Sequence, residues 1–127
     1  MALKALLAGL LTAVMVALTL FPLQIPFYRD VYNNAVLDNY DHWLPCSALP
    51  TLEQVQAVMT EHEATLDRIR TAEPTGRPGI RVEVDRWTCE GRADLIIEYG
   101  GHAHREQIEK ILRGHTFFGI PVRLRNI

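Results

Sequence analysis

A chain of 127 residues, 48% of them hydrophobic and 22% charged, is long enough for one domain and too short for two independent cores. Its 13 basic residues are balanced by 15 acidic ones, for a formal charge of -2, which excludes a polybasic chain built for bulk nucleic-acid binding. The apolar residues are concentrated in the first quarter, so the chain divides into a greasy N-terminal segment and a small polar domain.

From Ala5 to Leu23 there is no charge, and the polar side chains are two threonines, Thr12 and Thr19. Such a run, helical at about 1.5 Å per residue, reaches roughly 28 Å, close to the hydrocarbon thickness of a bilayer. A core helix of so small a domain would show a polar face, and this run shows none. Residues 1–26 are therefore predicted as a transmembrane anchor meeting lipid through residues 5–23. A cleaved signal peptide is the competing reading. Its small-residue cleavage candidates, ending at Ala17 and Thr19, lie inside the apolar run. Pro22 and Pro26 are expected to end the helix, and Phe21, Phe27, Tyr28 and Tyr32 to sit at the interface. Lys4 precedes the span, whereas Arg29 after it is outnumbered by Asp30, Asp38 and Asp41. That balance places the N-terminus in the cytoplasm and the domain in the periplasm or a lumen.

Residues 27–50 read as an interfacial linker or collar. Tyr28, Tyr32 and Val36 recur every four residues and Tyr40 and Trp43 extend the stripe, as in an amphipathic helix lying on a membrane or a partner. Pro45 and Pro50 bracket Cys46 as a rigid turn. The two cysteines, Cys46 and Cys89, pair most simply as one disulfide in an extracytoplasmic domain. Closing a loop of about 43 residues contributes roughly 4 kcal/mol in the loop-entropy account. Neither cysteine has a neighbour at zinc-finger spacing.

Residues 51–127 form the small α+β domain. Thr51 and Gln54 match a capping box, and Val55, Met59, His62, Leu66 and Ile69 make one helical stripe. Pro74 to Gly79 is a loop. Ile80, Val82 and Val84 then alternate with Arg81, Glu83 and Asp85, a strand of period two with a bulge expected near Arg86. Glu90-Gly91 turns the chain into a returning strand, with Leu95, Ile97 and Tyr99 on one face. After Gly100-Gly101 a second helix runs from about His102 to Arg113, stopped by Gly114, with Ile108, Ile111 and Leu112 inward. The last strand is Ile120 to Arg125, and Pro121 marks it as an edge strand or lies at its start.

The predicted fold is thus an α-β-β-α-β open-faced sandwich behind a membrane helix, ferredoxin-like without its first strand. The expected strand order is 2-1-3, the first strand in the middle. Arg81, Glu83, Ile96, Glu98, Arg123 and Arg125 then form an exposed face of mixed charge. With Tyr28, Tyr32 and Trp43, that face is the expected partner-binding surface.

Candidate chemistry is sparse. His102, His104 and Glu106 are the metal-ligand types in closest register, but only His102 and Glu106 share a helix face, and further ligands would have to come from His62 or His115. Asp41, His42, Cys46 and Ser47 have the residue types of nucleophilic catalysis, yet a bridged Cys46 cannot attack. Trp43, Trp87, Arg86 and Arg92 are hot-spot residue types, although Trp87 beside Cys89 reads more simply as packing on the bridge. No enzyme and no cofactor is implied.

The stretches Trp87-Thr88-Cys89-Glu90-Gly91-Arg92-Ala93-Asp94-Leu95-Ile96-Ile97 and Thr116-Phe117-Phe118-Gly119-Ile120-Pro121-Val122-Arg123-Leu124-Arg125-Asn126 resemble membrane-anchored proteins of cyanobacterial type without an assigned activity. The resemblance implies a thylakoid-lumenal or periplasmic domain and an accessory role at a photosynthetic membrane complex. It assigns no site residue. The function expected from the whole is a non-enzymatic, single-span protein whose domain docks on a larger membrane complex. The alternative is a small-ligand or metal-binding domain.

Overall fold

The computed structural model describes residues 2–20, 26–72 and 79–127. The apolar run forms helix α1, Ala2–Leu20, and a second helix, α2, spans Pro26–Ala35. Pro26 opens α2, where its fixed φ and missing N–H cost nothing, instead of closing α1. Among the described residues no helix is long and apolar enough to cross a membrane, so the transmembrane reading of residues 5–23 finds no support in the fold. The expectations for Phe21, Pro22 and Leu23, and for the loop from Pro74 to Pro78, lie outside the described residues.

The domain itself has the predicted α+β character. The capping box is present: Gln54 N–H donates to Thr51 Oγ1 (3.2 Å) and Thr51 N–H donates to Gln54 Oε1 (2.9 Å). The expected single helix is two, α3 (Leu52–Glu61) and α4 (Glu63–Arg70), interrupted at His62, whose φ of -113° and ψ of 30° leave the helical region. A one-residue break preserves the stripe, so Val55, Leu66 and Ile69 are all buried. Helix α5, His102–Leu112, matches its predicted span to within a residue. Its C-cap is Arg113 in the left-handed conformation, one residue before the glycine expected to stop it.

The strands are β1 (Arg81–Asp85), β2 (Asp94–Tyr99), β3 (Thr116–Phe117) and β4 (Ile120–Asn126), in the order β1-β2-β4-β3. This corrects the 2-1-3 order. β2 is central, antiparallel to β1 and parallel to β4, with Leu95 opposite Val122 and Ile97 opposite Leu124. The burial pattern shows why. Leu95, Ile97 and Tyr99 are fully buried, whereas β1 has Arg81 and Glu83 exposed and its valines only half-buried, which suits an edge. The short β3 was not anticipated. It turns into β4 through Phe118 and Gly119, both at positive φ (49° and 87°), a two-residue hairpin made without the usual Asn or Asp. Pro121 is the second residue of β4, ahead of the first parallel pair at Val122, so its missing N–H leaves the ladder with β2 intact. The bulge near Arg86 is absent. β1 ends at Asp85, whose carboxylate accepts from the Trp87 (3.0 Å) and Thr88 (3.1 Å) N–H groups and turns the chain.

Helices α3 to α5 share one core with a single face of the sheet: Val55, Leu66, Ile69, Ile108 and Leu112 meet Leu95, Ile97, Tyr99, Val122 and Leu124. The free side of β4 is covered along its length. Val122 N–H donates to the His115 carbonyl, Leu124 N–H to the Tyr40 carbonyl, and Asn126 N–H to Asn39 Oδ1. Residues 39–40 of the collar therefore complete the sheet edge. The stripe drawn through Tyr28, Tyr32, Val36, Tyr40 and Trp43 is not one helix: α2 ends at Ala35, and Tyr40 bridges to Leu124.

Candidate interaction surface and its ionic supports

Strand register decides which charged residues stand together. Arg81, Glu98 and Arg125 lie in one row across β1, β2 and β4, and Glu83, Ile96 and Arg123 in the next. The six residues assigned from sequence do share the face opposite the helices. They are not equally free. Arg81 is exposed and reaches Glu98 (3.3 Å) and Glu83 (3.4 Å), an ion-pair set in water worth little to stability. Arg125 is held by Asp41 at 3.2 Å, and Arg123 is pinned. Its guanidinium makes a fork with Asp94, Nε to Oδ2 at 2.6 Å and a terminal nitrogen to Oδ1 at 2.8 Å, and also bonds Asp85.

This pinning follows from the register. Asp85 stands directly opposite Asp94 in the β1–β2 pair, a like-charge placement that is unfavourable unless a cation bridges it. Arg123, one row on, supplies that cation. Burial alone would raise the Asp85 carboxyl, but bonds from Thr88, Arg123 and the Thr88 and Trp87 N–H groups outweigh it and hold it well below the usual carboxylate range. Burial likewise works against the Arg123 charge, and Asp94 and Asp85 more than offset this and raise its pKa.

His42 closes the cluster. Its Nε2 lies 2.7 Å from Asp94 Oδ2, and its Nδ1 accepts the Leu44 N–H at 3.0 Å. With Nδ1 accepting, the proton belongs on Nε2, donated to Asp94. Both ring nitrogens are thus occupied, which leaves none for a nucleophile. Beside this cluster the predicted disulfide joins Cys46, on a short 3-10 turn (Cys46–Ala48), to Cys89, with a Cα–Cα distance of 5.5 Å. Arg92 donates to the Leu49 carbonyl (2.8 Å) and Ala93 N–H to that of Pro50 (3.0 Å), so the collar is stitched to the β1–β2 turn. Trp87 does not pack on the bridge. It is 81% exposed, with the Arg86 guanidinium 4.7 Å above its ring. Its loop is shaped by Asp85, and that turn aims the indole at solvent.

A second network joins α2, the collar and α5. Arg105, buried, donates to Asp38 (3.0 Å) and Glu109 (2.8 Å) and reaches Asn34. Burial opposes the Arg105 charge, but Glu109 and Asp38 raise its pKa on balance. The Tyr99 hydroxyl donates to the Asp38 carbonyl, and its pKa is raised chiefly by burial. His102 is exposed and bonds Asp38 at 2.8 Å, a contact that raises its pKa. Its other nitrogen is 3.8 Å from Glu106. His104 turns the opposite way, buried, with Nδ1–H donating to the Gly100 carbonyl at 2.9 Å. The His102, His104 and Glu106 trio is therefore split between solvent and core. Among the described residues no group of three His, Cys, Asp or Glu is placed to hold a metal ion.

The aromatic half of the expected surface is exposed. Tyr28 (41%) and Tyr32 (39%) face solvent on α2, as does Trp43 (41%) in the collar, which carries the Arg29 guanidinium 3.5 Å from its ring centre; Phe27, expected at the membrane interface, is 70% exposed beside them. The collar's aspartates and His42 were the residues that sequence reasoning placed elsewhere. Their signal, short polar side chains among prolines, is indistinguishable from an ordinary linker. Comparison with protein-family models, with curated proteins and with solved structures finds no match to the chain.

Proposed function

We propose that the protein is a non-enzymatic accessory subunit, tethered to a membrane by α1, whose domain docks on a larger membrane complex through the mixed-charge sheet face and the α2 aromatics. The observation that carries this reading is the surface of α1. Leu6, Leu7, Leu10, Leu11, Val14, Met15 and Val16 are between 47% and 71% exposed among the described residues. Burying seven such side chains is worth on the order of 10 kcal/mol. Apolar surface on this scale calls for lipid or a protein partner. A single crossing, with the N-terminus cytoplasmic, requires the apolar run to extend beyond Leu20 through Phe21–Leu23, as it does in the sequence.

The disulfide supports an oxidising compartment for the domain, because such bonds persist in the periplasm or a lumen and not in a reducing cytosol. The non-enzymatic reading is supported by the occupied ring of His42 and the bridged sulfur of Cys46, which remove the pair best suited to catalysis. A photosynthetic membrane as the setting rests on the sequence resemblance alone.

The test is fractionation of the tagged, full-length protein from native membranes. It is expected to stay in the pellet through an alkaline carbonate wash and to migrate with a larger complex in mild detergent. Replacing Leu10 and Val14 with aspartate is expected to release it. Release of the unaltered protein by carbonate, or its recovery solely as a free monomer, refutes the proposal.

A further inference from the structure

A cleft of about 450 Å³ lies between α4, α5 and the β3–β4 hairpin, away from the charged sheet face and its ionic supports. Its volume falls in the range of small-molecule sites. Ile111 and Phe117 give it an apolar floor, Thr65 and Thr116 supply hydroxyls, and Arg68 and Arg113 bring two guanidiniums. Among the described residues no acidic side chain lines it. The carboxylates next along the helices are engaged with other cations: Asp67 with Arg70 at 2.9 Å, and Glu109 with Arg105 at 2.8 Å. The C-terminal end of α5 adds roughly half a negative charge, which the two guanidiniums outweigh.

The backbone supplies a separate observation. Four non-glycine residues among those described have positive φ, and two of them, Arg113 (53°) and Phe118 (49°), line this cleft. At Arg113 that conformation caps α5 and at Phe118 it makes the β3–β4 turn, so the local fold fixes both backbone positions at the cleft, which both residues line. Phe118 is half exposed, yet its ring is fixed by stacking on His62, centroids 3.5 Å apart and planes within 5°. That break-point histidine, which interrupts the α3–α4 helix, thus has a role in holding the rim.

From this combination we propose that the cleft is a binding site for a small organic acid with a flat apolar body, of the aryl-carboxylate class. The carboxylate pairs with Arg68 and Arg113, and the ring lies on Ile111 and Phe117 against Phe118. A guanidinium pair selects a carboxylate by geometry as well as charge, and the apolar floor gives the ring an enclosure that water does not. The inference is independent of the membrane tether and stands whether or not α1 sits in lipid.

The experiment is isothermal titration of the full-length protein, in non-ionic detergent, with 1-naphthoate and with its uncharged counterpart 1-naphthamide. Naphthoate is expected to bind saturably at one site per chain, at least tenfold tighter than the amide. The Arg68→Gln/Arg113→Gln variant should lose at least tenfold in naphthoate affinity, while Arg68→Lys/Arg113→Lys stays within a few-fold of the original protein. Equal binding of acid and amide, unchanged binding by the glutamine variant, or no saturable binding of naphthoate up to millimolar concentration each overturns the proposal. Should the glutamine variant fail to fold, the comparison of acid with amide on the unaltered protein decides the matter alone.

Discussion

Replacing Arg123 with methionine removes the cation between Asp85 and Asp94 while keeping most of the side-chain length. The two carboxylates would then face each other across the β1–β2 pair, their side chains only 8% and 3% exposed. Removing one partner of a buried ion pair costs about 3–5 kcal/mol, chiefly because the charge left behind has lost its compensation. That is a large share of the 5–15 kcal/mol by which domains are ordinarily stable. With a urea slope near 1.5 kcal/mol per molar, the unfolding midpoint should fall by roughly 2–3 M, followed by circular dichroism with the disulfide intact. The variant Asp85→Asn/Asp94→Asn/Arg123→Met removes all three charges and should recover most of the loss. The pH dependence follows from the Asp85 carboxyl, which lies below its ordinary value of 3.8 in the folded protein. Its contribution is present above that value and is lost as the pH falls below it. The gap between the unaltered protein and Arg123→Met should accordingly narrow in acid. A loss smaller than about 1 kcal/mol at pH 7 for the single variant, or a triple variant as unstable as the single, would refute the reasoning.

The remaining expectations concern other parts of the domain. Changing Cys46 and Cys89 to serine should lower stability by about 4 kcal/mol, read as a drop in thermal midpoint that reducing agent reproduces in the unaltered protein and not in the variant. Leu124→Ala opens the core between β4 and the helices and should cost about 2–5 kcal/mol in urea unfolding, whereas Glu83→Ala on the open face should change it by less than 0.5 kcal/mol. The His102 pKa is raised above 6.5 by its bond to Asp38, so this contact favours the folded state below that pH and fades as the pH rises through the folded value. An NMR titration should show the raised midpoint and its return toward 6.5 in Asp38→Asn. Thr51→Ala removes one half of the capping box and should cost about 1 kcal/mol.

Local pattern carried much of the domain. The stripe through Val55, Leu66 and Ile69, the period-two runs of β1 and β2 and the capping box at Thr51 are visible because each depends on residues within one or two turns of each other. The disulfide was also legible, since two cysteines in a chain read as extracytoplasmic leave one simple pairing. The β3–β4 hairpin was not. Phe118-Gly119 adopts a turn normally announced by asparagine or aspartate, and a two-residue strand has no periodicity to read.

The strand order was likewise a tertiary decision. Alternation says which face of each strand is buried, but not which strand is buried from both edges. That followed from pairing β2 with β4 side by side, and it left the more polar β1 outside. The same step created the ionic cluster. Nothing in the sequence links Asp85, Asp94, Arg123 and His42, with His42 and Asp94 separated by 52 positions, and they become one unit only when the register sets the aspartates opposite each other. Sequence by itself determined the elements and their apolar faces, because those are short-range properties of side-chain size and spacing. Only the folded chain decided which charges meet, because that depends on distances between segments that no local pattern encodes.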